Sequence, residues 1–397
     1  MKLGFVVQRY GLDIAGGAEY HGRLVAEHLA RHAEVEVLTT CASDYVTWEN
    51  HYPEGAETLN GVRVHRFPVA RPRDVYRFAE WSRRIEGPHA EEDERRWLEE
   101  EGPLSPRLVA EVAQRRRAYD FLLLFSYRYY TTYHGLRAAP ERAVLVPTAE
   151  NDGIYRLSIF PPLFRLPRAI VWNSPEERDM IRDAARNEAV PGEVVGVGSE
   201  LPEHLDPAGF RRRRGIDGPF LLYVGRIDRN KGCDELFPFF QRYRAETGST
   251  LRLLLIGKPA LGIPADPAIV HLGFVSDQEK WDALAAAEAL VIPSRYESLS
   301  MVTLEAWWAR KPVLANARCE VLLGQCRRSN GGLYFAHYDE FREALEMLEG
   351  DAGLRRSLGE NGRRYFDRNY TWDIVERKYL DLLARLREED AARARAS

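Results

Sequence analysis

The sequence predicts an α/β protein made of two open, mostly parallel sheets in tandem. Three observations point there. At 397 residues the chain exceeds one comfortable hydrophobic core, so two domains of about 180 residues are expected. Short apolar runs alternate with amphipathic helical stretches from the first residues on, the βαβ pattern that lays strands parallel under helices. The alternation restarts after Pro219.

In the first half, residues 3–7 form an apolar strand and residues 8–17 a loop ending in Gly16-Gly17. Residues 18–30 follow as a helix with Leu24, Val25, His28 and Leu29 on one side, and residues 35–39 as the next strand. Residues 62–67, 121–125, 143–146 and 170–172 supply further strands. Residues 74–117 are charge-dense and helical, with an acidic run at 91–94, and read as an inserted layer outside the core. Residues 201–218, with two prolines and four consecutive arginines at 211–214, read as a linker in which the arginines form a solvated basic loop.

In the second half, strands fall at 220–224, 251–256, 269–272, from 289, and at 313–315, with helices at 233–243 and 277–287. The stretch 319–332 reads as a loop at the interdomain cleft. Helices at 338–350, 354–369 and 372–386 close the chain, which is expected to fray after Glu388. The resulting domains are 1–198 plus a crossover helix at 371–388, and 199–370.

Composition excludes several classes. Apolar content of 45% and charged content of 29% are those of a soluble globular protein, and a formal charge of −4 gives no global case for nucleic acid. Cys41, Cys233, Cys319 and Cys326 are scattered and match no zinc or CxxC spacing. A reducing, cytoplasmic setting is expected, with at most peripheral contact at the inner face of a membrane. The N-terminus opens on a strand without a signal-peptide layout, and no apolar segment approaches the ~20 residues that span a bilayer. Arginines mixed with aromatics at 63–84 and 159–168 read as solvated surface in preference to a membrane-grazing face.

The chemistry concentrates at strand ends of the second domain, where open parallel sheets bind ligands. Gly225-Arg226 and Lys231 follow one strand, Gly257-Lys258 the next, and Ser294 to Glu297 a third. A lysine at a helix start opposes the macrodipole, and an anion held between Lys231, Arg226 and free backbone N–H groups reverses that sign. Glu305 has Met301 and Val302 one helical turn behind it and Trp308 and Ala309 one turn ahead. A carboxylate on such a stripe is costly unless something binds it, and a ligand hydroxyl is a candidate. Ser298 as a helix cap, with Glu297 beside it, is the plainer account of that segment.

The run from Val224 to Gly232, with Glu297, Glu305 and Lys311-Pro312-Val313, resembles glycosyltransferase family 4, retaining enzymes of the GT-B fold. Gly16-Gly17-Ala18-Glu19 is similar to that family's glycine loop, and the helix after Tyr370-Thr371-Trp372 to its closing crossover. The resemblance implies two Rossmann-like domains facing a cleft. It implies a nucleoside diphosphate sugar as donor, UDP- or GDP-linked, with no cofactor and no metal. The acceptor would be a glycan, a lipid-linked glycan or a small molecule in envelope, exopolysaccharide or glycoconjugate synthesis. Arg226 and Lys231 would hold the diphosphate and Glu297 the transferred sugar. Glu305 would accept the ribose hydroxyls, and the loop at Phe274 and Val275 would line the base. Backbone from Ser298 through Leu299 and Ser300 to Met301 would touch sugar or phosphate, with Gly16 and Gly17 allowing close approach. Ser298 and Ser300 stand where the family often has glycine. Glu150 and Asp152 stand near the place of a first-domain histidine, so Glu19, Glu150, Asp152 and His134 are the acceptor-side candidates. A catalytically silent nucleotide-sugar-binding protein of this fold is the alternative. A nucleotide-cofactor oxidoreductase is disfavoured by the lack of GxGxxG after the first strand.

Overall fold

The computed structural model describes residues 1–14 and 16–396. It divides into two compact units: Met1–Val197 together with the segment from Trp372 on, and Gly198–Thr371.

The strands of the first unit are β1 (Lys2–Val6), β2 (Glu34–Thr40), β3 (Gly55–Leu59), β4 (Val62–Phe67), β5 (Phe121–Phe125), β6 (Ala143–Val146), β7 (Ala169–Trp172) and β8 (Gly192–Val194). Among the described residues they form one sheet in the order β3-β4-β2-β1-β5-β6-β7-β8, parallel throughout except for the β3–β4 pair. Strands β5, β6 and β7 are apolar at every position, as strands covered on both faces are, and β5, Phe-Leu-Leu-Leu-Phe, is buried along its whole length. The edge strand β3 (Gly-Ala-Glu-Thr-Leu) is mostly exposed and polar, which hid it from sequence patterning.

The second unit carries β9 (Phe220–Val224), β10 (Arg252–Ile256), β11 (Ile269–Gly273), β12 (Ala289–Ile292), β13 (Val313–Asn316) and β14 (Gly332–Phe335), all parallel, in the order β11-β10-β9-β12-β13-β14. The order reverses between β1 and β5 in one sheet and between β9 and β12 in the other. Such a reversal opens a crevice at the strands' carboxyl ends.

Several expectations are corrected. The segment at 74–117 is no outer layer. Its helices Glu91–Glu101 and Pro106–Arg115 send Trp97, Leu98, Leu108 and Val112 into the same core as Leu122 and Leu124. The linker contains a helix, Pro207–Arg214, capped by Asp206. Its arginines are paired: Arg213 with Asp282 at 2.9 Å, and Arg214 with Glu279. The stretch at 319–332 is a helix, Glu320–Ser329, leading into β14. The last helix runs to Ala396, beyond the expected fraying point. Arg168 reaches Asp390 at 3.3 Å and also pairs with Glu389, which ties that end to the first unit. At its other end Trp372 stacks on His28 with ring centroids 3.5 Å apart, while Glu376 accepts from His28 Nδ1 at 2.6 Å and His32 Nε2 at 2.7 Å. No helix among the described residues is long and apolar enough to cross a membrane.

Candidate active site

The second unit's crevice is framed by the loops after β9 and β12. Glycine is required where these backbones meet. Gly232, after β9, has a φ of 73°, and a Cβ there would overlap the carbonyl oxygen of Pro293, after β12; Gly257, after β10, has a φ of 136° and likewise leaves no room for a Cβ against Gly225 O. The two loops therefore lie close enough for their side chains to join. Lys231 Nζ donates to Glu297 Oε1 at 2.7 Å across the crevice, linking residues that are 66 apart in sequence. Both are partly buried.

Asp228 organises the first of these loops. One of its oxygens accepts from the Lys231 backbone N–H at 2.8 Å and the other from Arg226 Nε. Arg226 is 51% exposed, so its guanidinium stays open to solvent. The expected free amides are only partly present. Gly232 N–H donates to Arg229 O at 3.0 Å and Cys233 N–H to Asp228 O at 3.1 Å, so these two are committed within the loop. The helix after β12 spans Met301–Trp308 and its cap is Ser300, not Ser298. The Ser300 hydroxyl accepts from Thr303 Oγ1 at 2.9 Å and makes no side-chain cap to the backbone. The Ser300 side chain therefore does not cap this helix, and a helix N-terminus is a setting that favours an anion or a polar ligand.

Glu305 lies 7% exposed, as its apolar stripe foretold, but its partner is a protein group. Lys280 Nζ, from the helix Asp277–Ala286, donates to Glu305 Oε1 at 2.7 Å. Sequence reasoning missed Lys280. The available signal was that it is the single cation in that helix. Phe274, in the loop after β11, is 85% exposed and Val275 half-buried.

In the first unit the glycine loop serves the protein itself. Gly16 has an ordinary negative φ, and a Cβ there would overlap the Glu19 carboxylate and crowd Arg9 Nη2. Glu19 is buried in a pair with Arg9 at 2.6 Å, so neither is an open ligand group; a Cβ on Gly17 would meet nothing. Asp152 is likewise engaged: it accepts from Arg128 Nη1 at 3.0 Å and from the Ile154 backbone N–H at 3.1 Å, and burial pushes its carboxyl up. Arg128 also reaches Glu101 at 2.7 Å, and Glu101 in turn pairs with Arg73 at 2.9 Å. Glu150 is half-buried nearby in sequence. His134 packs against the rings of Tyr130 and Tyr133 with centroids 4.3 and 5.0 Å away, and burial, with Arg137 and Arg95 behind it, pushes its imidazole down to about 4. It is a packing residue in its helix. The buried histidine near the strand ends is His21, edge-on to Phe125 at 5.3 Å and held neutral by burial.

Residues 210–365, which lie within the second unit, match the family model for glycosyl transferases group 1. Over nearly the whole chain (96% of it, 97% of the relative) the sequence is 23% identical to an uncharacterized glycosyltransferase of Methanocaldococcus jannaschii. It is 27% identical to the lipopolysaccharide core biosynthesis glycosyltransferase LpsE of Rhizobium meliloti, across 77% of this chain and 87% of that one. Among solved structures, sucrose-phosphate synthase of Thermosynechococcus elongatus superposes with a TM-score of 0.71 at 18% identity, covering 98% and 99% of the two chains. Anabaena HepE, solved with UDP and glucose, superposes with a TM-score of 0.69 at 16% identity, covering 97% and 99%. The fold is GT-B.

Proposed function

We propose that the chain is a retaining, metal-independent glycosyltransferase of family 4. It would move a sugar from a UDP- or GDP-linked donor to an acceptor hydroxyl. The observation that carries this reading is the Lys231–Glu297 pair at the β9/β12 crevice, with Arg226 open beside it. Cations that meet a departing diphosphate stabilise charge as it develops, the strongest kind of electrostatic catalysis. A carboxylate beside them suits sugar hydroxyls, which it accepts in charge-assisted bonds. As the sugar's C1–O bond breaks, the electron pair goes to the diphosphate held by Arg226 and Lys231. The acceptor oxygen bonds to C1 on the face the diphosphate vacates, and its proton passes to the departing phosphate oxygen. Retention follows, with no carboxylate nucleophile.

The names of relatives support the class. One is a lipopolysaccharide core transferase and one a structure holding UDP and glucose. Acceptors in envelope, exopolysaccharide or glycoconjugate synthesis fit, and we place the enzyme in the cytoplasm with at most peripheral membrane contact. The test is nucleoside diphosphate release from UDP- and GDP-hexoses in the presence of chelator, with the anomeric configuration of the product read by NMR. Release without added metal and a retained anomer are expected. Tight nucleotide binding without release would make the chain a silent binding protein, an inverted anomer would remove the retaining assignment, and no binding at all would end the proposal.

A further inference from the structure

Glu305 does not meet a ligand as a bare carboxylate, because one of its oxygens already accepts from a protein cation. Its Oε1 is occupied by Lys280 Nζ at 2.7 Å, while Oε2 has no protein hydrogen bond among the described residues. An ammonium carries three donors, and one here is used. Lys280 is one-fifth exposed and Glu305 under one-tenth, so the pair shows an edge to solvent from an otherwise covered place. The lysine is braced: its Nζ lies 5.1 Å from the Trp281 ring centroid, and that ring packs edge-on against Trp308 at 5.1 Å. Its helix begins three residues after Phe274.

Resting on the donor reading above, we propose that the ribose is read by Lys280 and Glu305 together. One ribose hydroxyl donates to Glu305 Oε2, and the neighbouring hydroxyl accepts from Lys280 Nζ. The couple distinguishes the two hydroxyls by role, since one needs an acceptor and the other a donor. It is neutral as a unit, so the nucleotide's negative charge meets no uncompensated carboxylate beside the diphosphate site. Lys280 is then a substrate-binding residue and also the group that fixes Glu305.

The test is calorimetric. Whichever of UDP and GDP binds the full-length wild type more tightly is titrated beside its 2′-deoxy and 3′-deoxy forms. Wild type should lose about tenfold in affinity for each missing hydroxyl. Lys280→Met should weaken the parent nucleotide about tenfold and become indifferent to one of the two deoxy changes while still sensing the other. Lys280→Arg should recover part of the affinity. Because Lys280→Met leaves a buried carboxylate unpaired, the double variant Lys280→Met/Glu305→Gln is measured too. It should unfold at the wild-type temperature yet discriminate neither deoxy form. A Lys280→Met variant that keeps wild-type affinity and wild-type sensitivity to both hydroxyls overturns this inference alone. Equal recovery of ribose discrimination in the double variant also overturns it, since the lysine would then matter only for folding. Absence of any nucleotide binding by wild type overturns the donor reading and this inference with it.

Discussion

The carboxyl-terminal rims of the two sheets are lined with the same kinds of residue and hold them in opposite ways. In the first unit the innermost pairs, Arg73–Glu101 and Arg9–Glu19, are sealed, while Arg128 and Asp152 beside them stay partly exposed. Glu101 is 0% exposed between Arg73 and Arg128, and Arg9 and Glu19 pair with each other under the rings of Tyr45 and Trp48. In the second unit Arg226 stands half in solvent, and Lys231, Lys280 and Arg295 are each partly exposed. A sealed pair cannot trade its partner without leaving a buried charge, whereas a half-open pair exchanges partners at little cost. On the function proposed above, the difference separates residues that build a rim from residues that would work at one.

The comparison can be broken most sharply at the open rim. Lys231→Ala or Arg226→Ala should lower turnover by about a hundredfold or more with little change in unfolding midpoint. Activity within a few-fold of wild type in both variants would mean that open charges are not working ones. At the sealed rim the balance should reverse. Glu101→Gln removes the buried carboxylate that Arg73 and Arg128 share, leaving Arg128 on Asp152 and Arg73 on backbone carbonyls, so it should cost about 3 kcal/mol in urea unfolding; a loss below about 0.5 kcal/mol, the size of an ordinary surface substitution, would refute the distinction.

A third test uses pH. Glu177 accepts the backbone N–H groups of Asn173 and Ala149, each at 2.6 Å, and so fastens together the segments after β6 and β7. Those bonds favour its ionised form, but complete burial outweighs them and pushes the carboxyl from an ordinary 4.5 up to about 8. The folded chain therefore keeps a proton that the unfolded chain has released. The stability tied to that proton is complete below about 4.5 and is lost as pH rises through about 8. In the difference between wild type and Glu177→Gln, stability should fall with pH across that window, by about 1.4 kcal/mol per pH unit at its steepest. A flat difference would show the carboxylate to be ionised throughout. The smallest effect on folding is expected at Phe274. Phe274→Ala should leave stability within about 0.5 kcal/mol and weaken nucleotide binding about tenfold through lost base stacking; unchanged binding would remove the base contact.

Much of this was legible because physics writes it locally. Strands β5, β6 and β12 are continuous apolar runs, and no other element type fits their length between turns. Strand β3 was not legible, since an exposed edge needs no apolar pattern, and β8 is only three residues long. Strand β14 lay behind a helix whose mixed residues and trailing glycines read as a loop. At the site, the burial of Glu305 followed from its helical neighbours, and the need for a partner followed from its charge. The identity of that partner did not, because Lys280 comes from a separate helix. Glu19 looked like a first-turn acid or a ligand group; only the fold shows Arg9 waiting for it, and Gly16 vacant of a side chain to admit the pair.

The second unit is a continuous stretch of chain, whereas the first is complete only when the helix from Trp372 lies against His28, Arg168 and the β8 segment. Vectorial synthesis therefore reverses the usual order of maturation. The polypeptide that emerges first must wait, part-finished, while the later domain can already have folded. Nascent chains halted before Trp372 should present a protease-resistant second unit and a vulnerable first one.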